Sequence, residues 1–173
     1  TEIDLAAGVD ITASGGNVDL NNTVAQIDLS GTTDTNTISA SGSVELANVV
    51  DTGTTTATSP VELVVTAGTG VTLGTVTLSN TLDVDFDTAT GTSTLNAGSL
   101  SAGTIEVDGV GTNDVMNFGS TVVSTVAGVT IGNAGTVDLD GDVTGATTVT
   151  ISDVGTEIDL AAGVDITASG GNV

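Results

Sequence analysis

The chain has 173 residues with no Lys, Arg or His and 22 Asp and Glu, so its formal net charge is −22. Without basic side chains it cannot neutralise a phosphate backbone, which excludes nucleic-acid binding, and anionic membrane surfaces repel it. Disorder is not expected, because 38% of the residues are apolar and the mean hydropathy is +0.37. The longest apolar stretches, such as residues 63–65, are too short for membrane insertion.

Short segments that alternate apolar, polar and apolar residues recur along the whole chain. In chain order they cover residues 3–5, 9–11, 18–20, 27–29, 44–46, 61–63, 84–86, 105–107, 129–131, 137–139 and 149–151. In a strand, this alternation turns one set of side chains inward, and the intervening Gly, Asn, Ser and Thr are typical of turns. Since 24 residues are Gly and strong helix formers other than Ala and Leu are scarce, the composition favours an all-β fold.

The starts of these segments recur at a nearly constant spacing. One series, in steps of 20 to 24 residues, runs through Val18, Ile38, Val61, Val84, Ile105, Val129, Val149 and Val173. A second, less even series runs through Ile27, Val44, Val71, Thr94, Val115, Val137 and Ile158. Coils of about 22 residues, about seven of them per 155 residues, predict a parallel β-helix, or β-solenoid. The residues expected inside it include Val84, Phe86, Ile105, Val107, Val129, Ile131, Val149 and Ile151.

The first 18 residues recur letter for letter at residues 156–173, an offset of 155 residues. This duplication predicts that residues 1–155 are one β-solenoid repeat unit and that residues 156–173 begin the next identical unit of a tandem array. Because the two segments share one sequence, we expect them to superpose after a translation of about 34 Å and a modest twist.

Two groups of alternating acidic residues are candidate cation ligands. The first group alternates with Val84 and Phe86, so its carboxylates lie on one side of a strand, and the second resembles half of a calcium-binding loop. With no Lys or Arg to offset these charges, Ca²⁺ or another cation can bind them. The alternative is a solvated acidic face screened by bulk salt. The candidate metal ligands are Asp83, Asp85, Asp87, Asp138, Asp140 and Asp142.

Acidic residues of successive coils are also expected to stack. The spacing places Glu62, Asp85 and Glu106 in one outward row about 5 Å apart, where like charges repel one another by roughly 0.8 kcal/mol per pair in water. Bound cations would relieve this repulsion.

No enzymatic activity and no certain cofactor are expected. Asp83 and Asp85 are spaced as the carboxylates of an inverting glycosidase are, but the aromatic and basic residues that would hold a sugar substrate are missing. The chain also has no His, Cys or Lys for nucleophilic or general-base catalysis.

Segments such as V-D-L, V-T-L and T-V-T-I alternate with turns such as G-G-N-V, N-A-G and T-A-G-T-G. In this respect the whole chain resembles the giant secreted bacterial β-strand-repeat proteins, which include filamentous-haemagglutinin-type adhesins and autotransporter passengers. The resemblance implies a right-handed parallel β-helix, an extracellular or cell-surface location, and an adhesive or fibre-forming role. Those proteins usually carry some Lys and Arg, so their partners are not transferred to this chain.

Together these observations predict a non-enzymatic extracellular filament made of tandem β-solenoid repeats stacked end to end. Its expected partners are copies of itself, bundled side by side where cations bridge the acidic rows. The alternative is an adhesin stalk or binding module that displays a tip domain lying outside this chain.

Overall fold

The computed structural model describes residues 2–21, 26–30, 35–51, 62–87 and 91–173. Within these ranges all the regular structure is β-strand, and no helix is long and apolar enough to cross a membrane. In chain order the strands are β1 (Glu2–Leu5), β2 (Asp10–Ala13), β3 (Val18–Leu20), β4 (Gln26–Leu29), β5 (Thr35–Ala40), β6 (Ser43–Leu46), β7 (Asn48–Asp51), β8 (Glu62–Ala67), β9 (Gly70–Leu73), β10 (Val76–Thr77), β11 (Thr81–Phe86), β12 (Thr94–Ala97), β13 (Leu100–Ala102), β14 (Thr104–Asp108), β15 (Val115–Phe118), β16 (Val122–Ser124), β17 (Val129–Gly132), β18 (Thr136–Leu139), β19 (Val143–Gly145), β20 (Val149–Ser152), β21 (Glu157–Leu160) and β22 (Ile166–Ala168).

These strands form three parallel sheets, which the chain visits in rotation. Sheet A stacks β1, β4, β7, β10, β13, β16, β19 and β22; sheet B stacks β2, β5, β8, β11, β14, β17 and β20; sheet C stacks β3, β6, β9, β12, β15, β18 and β21. Each turn of the chain therefore adds one strand to each sheet, and successive turns lie about 23 residues apart. This arrangement confirms the predicted all-β parallel β-solenoid.

The interior consists of ladders in which each apolar side chain lies against its equivalent in the next coil. One ladder of sheet B runs through Ile11, Ile38, Val65, Val84, Val107, Ile131 and Ile151. Of the eight residues predicted to face the interior, seven are buried and Ile151 is half-buried. Ile151 is less covered because β20 is the last strand of sheet B among the described residues.

The predicted register of sheet B is confirmed in its last coils. Ile105, Val129 and Val149 are neighbours in one ladder, as the first series places them.

Around β11 the register differs from the predicted one, by four residues toward β8 and by two toward β14. Val84 lies between Val65 and Val107, whereas the sequence series places it between Val61 and Ile105. Val61 itself lies outside the described residues. Because strand faces alternate with a period of two, a shift by an even number of residues keeps the same side chains inside.

The second predicted series follows sheet C for much of its length but contains local errors. Val44 and Val71 are neighbours in one ladder, as are Val137 and Ile158. At Thr94 and Val115 the series is wrong by one residue, since the buried residues of those strands come next in the chain, Leu95 and Met116.

Sheet A has no counterpart among the two predicted series. Ile27, placed by its spacing with the second series, pairs instead with Ile3 in sheet A. Val18 begins the first series but pairs with Val44 in sheet C. The solenoid therefore has three strands per turn, and each predicted series mixes residues of more than one sheet.

The two identical 18-residue segments lie on different sheets. The first contributes β1 to sheet A and β2 to sheet B, whereas the second contributes β21 to sheet C and β22 to sheet A. Since β21 is the twentieth strand after β1, the offset is six turns and two-thirds of a turn at three strands per turn. The expected superposition by translation and a modest twist is therefore wrong, because 155 residues are not a whole number of turns.

Candidate functional site

The outer surface of sheet B carries the densest group of carboxylates that the described strands bring together. Asp83 and Asp85 on β11 lie beside Glu106 and Asp108 on β14, with Asp83 opposite Glu106 and Asp85 opposite Asp108. All four point outward, because the residues that alternate with them in both strands are buried. We call these four residues the acidic cluster.

This pairing corrects the predicted stack of Glu62, Asp85 and Glu106. Glu62 lies opposite Thr35 of the preceding coil, and Glu106 lies opposite Asp83, which is two residues before Asp85. The three residues therefore do not share one row. The cause is the register shift around β11, which preserves the outward face but changes which side chains are neighbours. Acidic pairs in adjacent coils do occur, but between different partners from those predicted.

The environment of Asp85 disfavours its charged form. Partial burial raises the pKa of the Asp85 carboxyl above its usual value, and the nearby negative charge of Asp108 raises it further. Asp108 is itself held in place, because its Oδ1 accepts a hydrogen bond of 2.7 Å from Nδ2 of Asn133 in the next coil. The outer face of sheet B therefore holds like charges close together, without a basic side chain to offset them.

We expect Asp85→Asn to stabilise the solenoid at neutral pH. A raised folded-state pKa means that the protonated carboxyl favours the fold at low pH and that this contribution is lost as the pH rises through that pKa. The asparagine amide stays uncharged at every pH, so it does not lose stability as the pH rises. The melting temperature should therefore rise by about 1–3 °C at pH 7 and change little at about pH 3.

The control is Asp10→Asn, because Asp10 is exposed on the same sheet but lies opposite Thr37. Thermal unfolding followed by circular dichroism at both pH values compares the two variants. A stabilisation by Asp85→Asn that is equally large at both pH values would contradict the electrostatic explanation.

The structure separates the six predicted metal ligands into two groups on different sheets. Asp83 and Asp85 belong to the acidic cluster, and Asp87 is exposed just after β11. Asp138 faces outward on β18 of sheet C, opposite Asn117 in one direction and Asp159 in the other.

The last two predicted ligands lie in the corner between β18 and β19. Asp140 and Asp142 are both exposed there, and Oδ1 of Asp142 accepts a hydrogen bond of 2.9 Å from the backbone N–H of Asp165. Among the described residues, no three carboxylates are close enough together to hold a metal ion. Carboxylates instead meet in pairs across neighbouring coils, and cation binding at these residues stays a prediction.

Sequence reasoning missed a buried carboxylate that stabilises the coil-to-coil contacts. Asp114 is only 1% exposed. Its Oδ1 accepts a hydrogen bond from the N–H of Ser93 at 2.8 Å, and its Oδ2 accepts from Val110 at 2.9 Å and Gly111 at 3.1 Å. Both carboxylate oxygens are thus used by the backbone, which gives Asp114 a structural role.

Asn36 is a second buried polar residue that the alternation did not predict. It takes an inward position opposite Leu63 and is fully buried. Its Oδ1 accepts a 3.0 Å hydrogen bond from the N–H of Val9, while its Nδ2 has no hydrogen-bond partner in the described part of the chain. The Asn36 side chain therefore stabilises the turn before β2 through its oxygen, while its buried amide nitrogen stays unsatisfied.

The middle of sheet C, from β9 to β15, presents a row of uncharged polar side chains. Nδ2 of Asn117 donates a 3.0 Å hydrogen bond to Oδ1 of Asn96 in the preceding coil, and Thr72 continues the row. An open groove of about 300 Å³ runs beside them over Gly98 and Gly119. A second open groove, of about 420 Å³, follows the corner between sheets B and C past Val110. Both grooves are open surface features.

No protein-family model matches the chain, and neither the curated proteins nor the solved structures include a match to it. The likeness to the bacterial β-strand-repeat proteins therefore consists of the parallel β-solenoid architecture.

Proposed function

We propose that this protein is a structural, non-enzymatic component of an extracellular filament made of tandem β-solenoid repeats stacked end to end. The observation that carries the proposal is the uninterrupted stacking across the junction between the two copies of the repeated segment. Strand β21, which begins the second copy, pairs with β18 of the first repeat over its full length, from Thr136 opposite Glu157 to Leu139 opposite Leu160. A second repeat that continues from β21 and β22 would extend the same sheets and the same core.

The exposed inward side chains beyond this junction also support end-to-end continuation. Ile158 and Leu160 continue the ladder of Val137 and Leu139, which are fully buried, yet they are 45% and 46% exposed. A further coil on this side would cover them, as it covers their equivalents one turn earlier. It would also pair the free strand edges, which otherwise invite association with other chains.

The charge of the chain fits a filament that works outside the cell. A net charge of −22 keeps filaments soluble and apart in the absence of bridging cations. With no Lys or Arg, the chain also offers no cleavage site to trypsin-like proteases. The partners in this proposal are copies of the same protein, joined end to end and, where divalent cations bridge acidic rows, side by side.

The test compares purified chains that contain one, two and four copies of residues 1–155. Small-angle scattering and electron microscopy should give a constant cross-section and a length that grows by about 32 Å per repeat, from six and two-thirds turns at about 4.8 Å each. Lengths that do not add, or images of separate compact bodies, would contradict the filament.

The same four-repeat sample tests bundling. Light scattering is compared in millimolar calcium chloride and in sodium chloride of equal ionic strength, and bundling predicts a rise with calcium alone.

Antibody labelling of intact source cells tests the extracellular location, since an internal protein would stay unlabelled until the cells are permeabilised.

A further inference from the structure

The repeated segment keeps its local geometry while it changes sheets. Residues 2–5 of the first copy and the equivalent residues 157–160 of the second copy are both strands, although the first strand belongs to sheet A and the second to sheet C. The turn that follows has a left-handed glycine in each copy, with φ of 70° at Gly8 and 89° at Gly163. The strand–turn unit is therefore a module whose shape does not depend on which sheet it joins.

Sheets A and C accept the same strand because their interior ladders present matching side chains. In sheet A, Ile3 and Leu5 lie on Ile27 and Leu29. In sheet C, the identical residues of the second copy lie on a valine and a leucine of β18. Both positions offer a β-branched residue followed two places later by leucine, so a one-third turn of the module leaves the core complementary.

The next strand of each copy follows the same rotation. The first copy places Ile11 and Thr12 in sheet B, opposite Ile38 and Ser39. In the second copy, the equivalent residues of β22 lie in sheet A, where Thr167 is opposite Thr144. The backbone then reaches sheet B, where the carbonyl of Asn172 accepts a 3.1 Å hydrogen bond from the N–H of Val149. The shift therefore persists through three consecutive strand positions.

We propose that successive repeats of the filament are related by a rotation of one-third of a turn, so that three repeats make one true period. This inference rests on the proposed tandem filament. A surface feature such as the acidic cluster lies on sheet B in one repeat and on sheet A in the next. It lies on sheet C in the third repeat and on sheet B again in the fourth. Each side of the filament then carries the surfaces of all three sheets in turn.

The rotation makes the three sides of the filament equivalent, apart from an axial shift of one repeat. A filament with an in-phase repeat has three different sides and would join its neighbours through one preferred side, which gives flat ribbons. A rotated filament offers each lateral contact on all three sides. The partner that fits this surface is a second copy of the filament, and the product is a three-dimensional bundle.

Pairs of cysteines introduced into the 173-residue chain test the rotation at the junction, because the chain has no cysteine of its own. If the repeats are rotated, Thr144→Cys and Thr167→Cys lie opposite each other in sheet A. If the repeats are in phase, Thr167 takes the place of Thr12, in the outward row that ends at Ser152. Ser152→Cys with Thr167→Cys is therefore the matched pair for the alternative.

Each double variant is treated with dibromobimane, which becomes fluorescent when it bridges two neighbouring thiols. The reference is Val123→Cys with Thr144→Cys, an opposed pair of sheet A within one repeat. We expect the pair at 144 and 167 to react as the reference does and the pair at 152 and 167 to stay dark. The opposite pattern, or equal reaction of both test pairs, would overturn the rotation. Non-additive filament lengths would instead refute the tandem filament and leave the bridging result intact.

Discussion

Replacing Phe118 by alanine is expected to destabilise the solenoid by about 3–5 kcal/mol, the cost of removing a buried aromatic side chain and leaving a cavity. Phe118 is 1% exposed and is one of only two aromatic residues in the chain. It lies in a sheet C ladder between Ala97 in the preceding coil and Leu139 in the following one. Because Ala97 is small, its side chain cannot take over the space of a lost phenyl ring.

Guanidinium denaturation followed by circular dichroism measures this loss, and Val126→Ala is the matched control, since Val126 is 69% exposed. Because each coil contacts only its neighbours, the loss should concentrate in the coils next to β15, where amide hydrogen exchange should accelerate first. Adding Ala97→Leu to Phe118→Ala should restore part of the stability by refilling the ladder. A Phe118→Ala variant as stable as Val126→Ala would contradict the assigned packing.

The alternation of apolar and polar residues predicts which side chains face inward but leaves the register open. Val84, Val107 and Ile131 are buried as their pattern predicts. The pairing of Val107 with Ile131 follows the predicted register. The partners of Val84 were misplaced, by four residues on β8 and by two on β14, because a strand shifted by an even number of residues keeps its faces and changes only its neighbours. The partner of Asp85 in the acidic cluster depends on that same shift. The sequence therefore predicts an acidic outer face, but neither the partial burial of Asp85 nor its pairing with Asp108, which together raise the pKa of that carboxyl.

The third sheet could not be predicted because most of its strands, all those from β10 onward, are too short to display a period. In sheet A, β10 has two residues, and β13, β16 and β19 have three each. Such strands contain one or two inward residues, such as Val76 and Val143, which is too few for an alternating pattern. Their stability comes from stacking between coils, and residues about 23 positions apart must be compared before the stack becomes visible.

The change of sheet between the two repeated segments follows from the same count of strands. The duplicated sequence itself was visible, but its orientation depends on how many strands fill each turn. The two predicted series give about seven coils of two strands each in 155 residues, which are whole turns, so the copies were expected in phase. In the structure, the twenty strands from β1 to β21 fill six turns of three and leave two strands over, so Ile158 lies in a different sheet from Ile3. The missed third sheet and the wrong superposition are therefore one error.

Replacing Asp114 by asparagine is the second change with a large expected effect, about 2–4 kcal/mol of lost stability. The carboxylate accepts hydrogen bonds on both oxygens, from Ser93 on one and from Val110 and Gly111 on the other. An amide of nearly the same shape keeps one acceptor, and its NH₂ group faces a backbone donor where the second oxygen was. At least one buried N–H then has no acceptor, so the loss arises from hydrogen bonding and not from a change in volume.

The consequences should extend over three coils, because the backbone carbonyl of Asp114 also accepts hydrogen bonds from Gly135 at 2.8 Å and Thr136 at 3.0 Å. Chemical denaturation gives the overall loss, and hydrogen exchange should show reduced protection at the amides of Ser93, Val110 and Gly111. Asp140→Asn removes the same charge from an exposed position and should leave both measurements nearly unchanged. If Asp140→Asn loses as much stability as Asp114→Asn, the loss comes from the removed charge, and the hydrogen bonds of the buried carboxylate do not hold the coils together. If only Asp114→Asn loses stability, the hydrogen bonds of this one acidic residue stabilise the solenoid, while the outward carboxylates contribute charge.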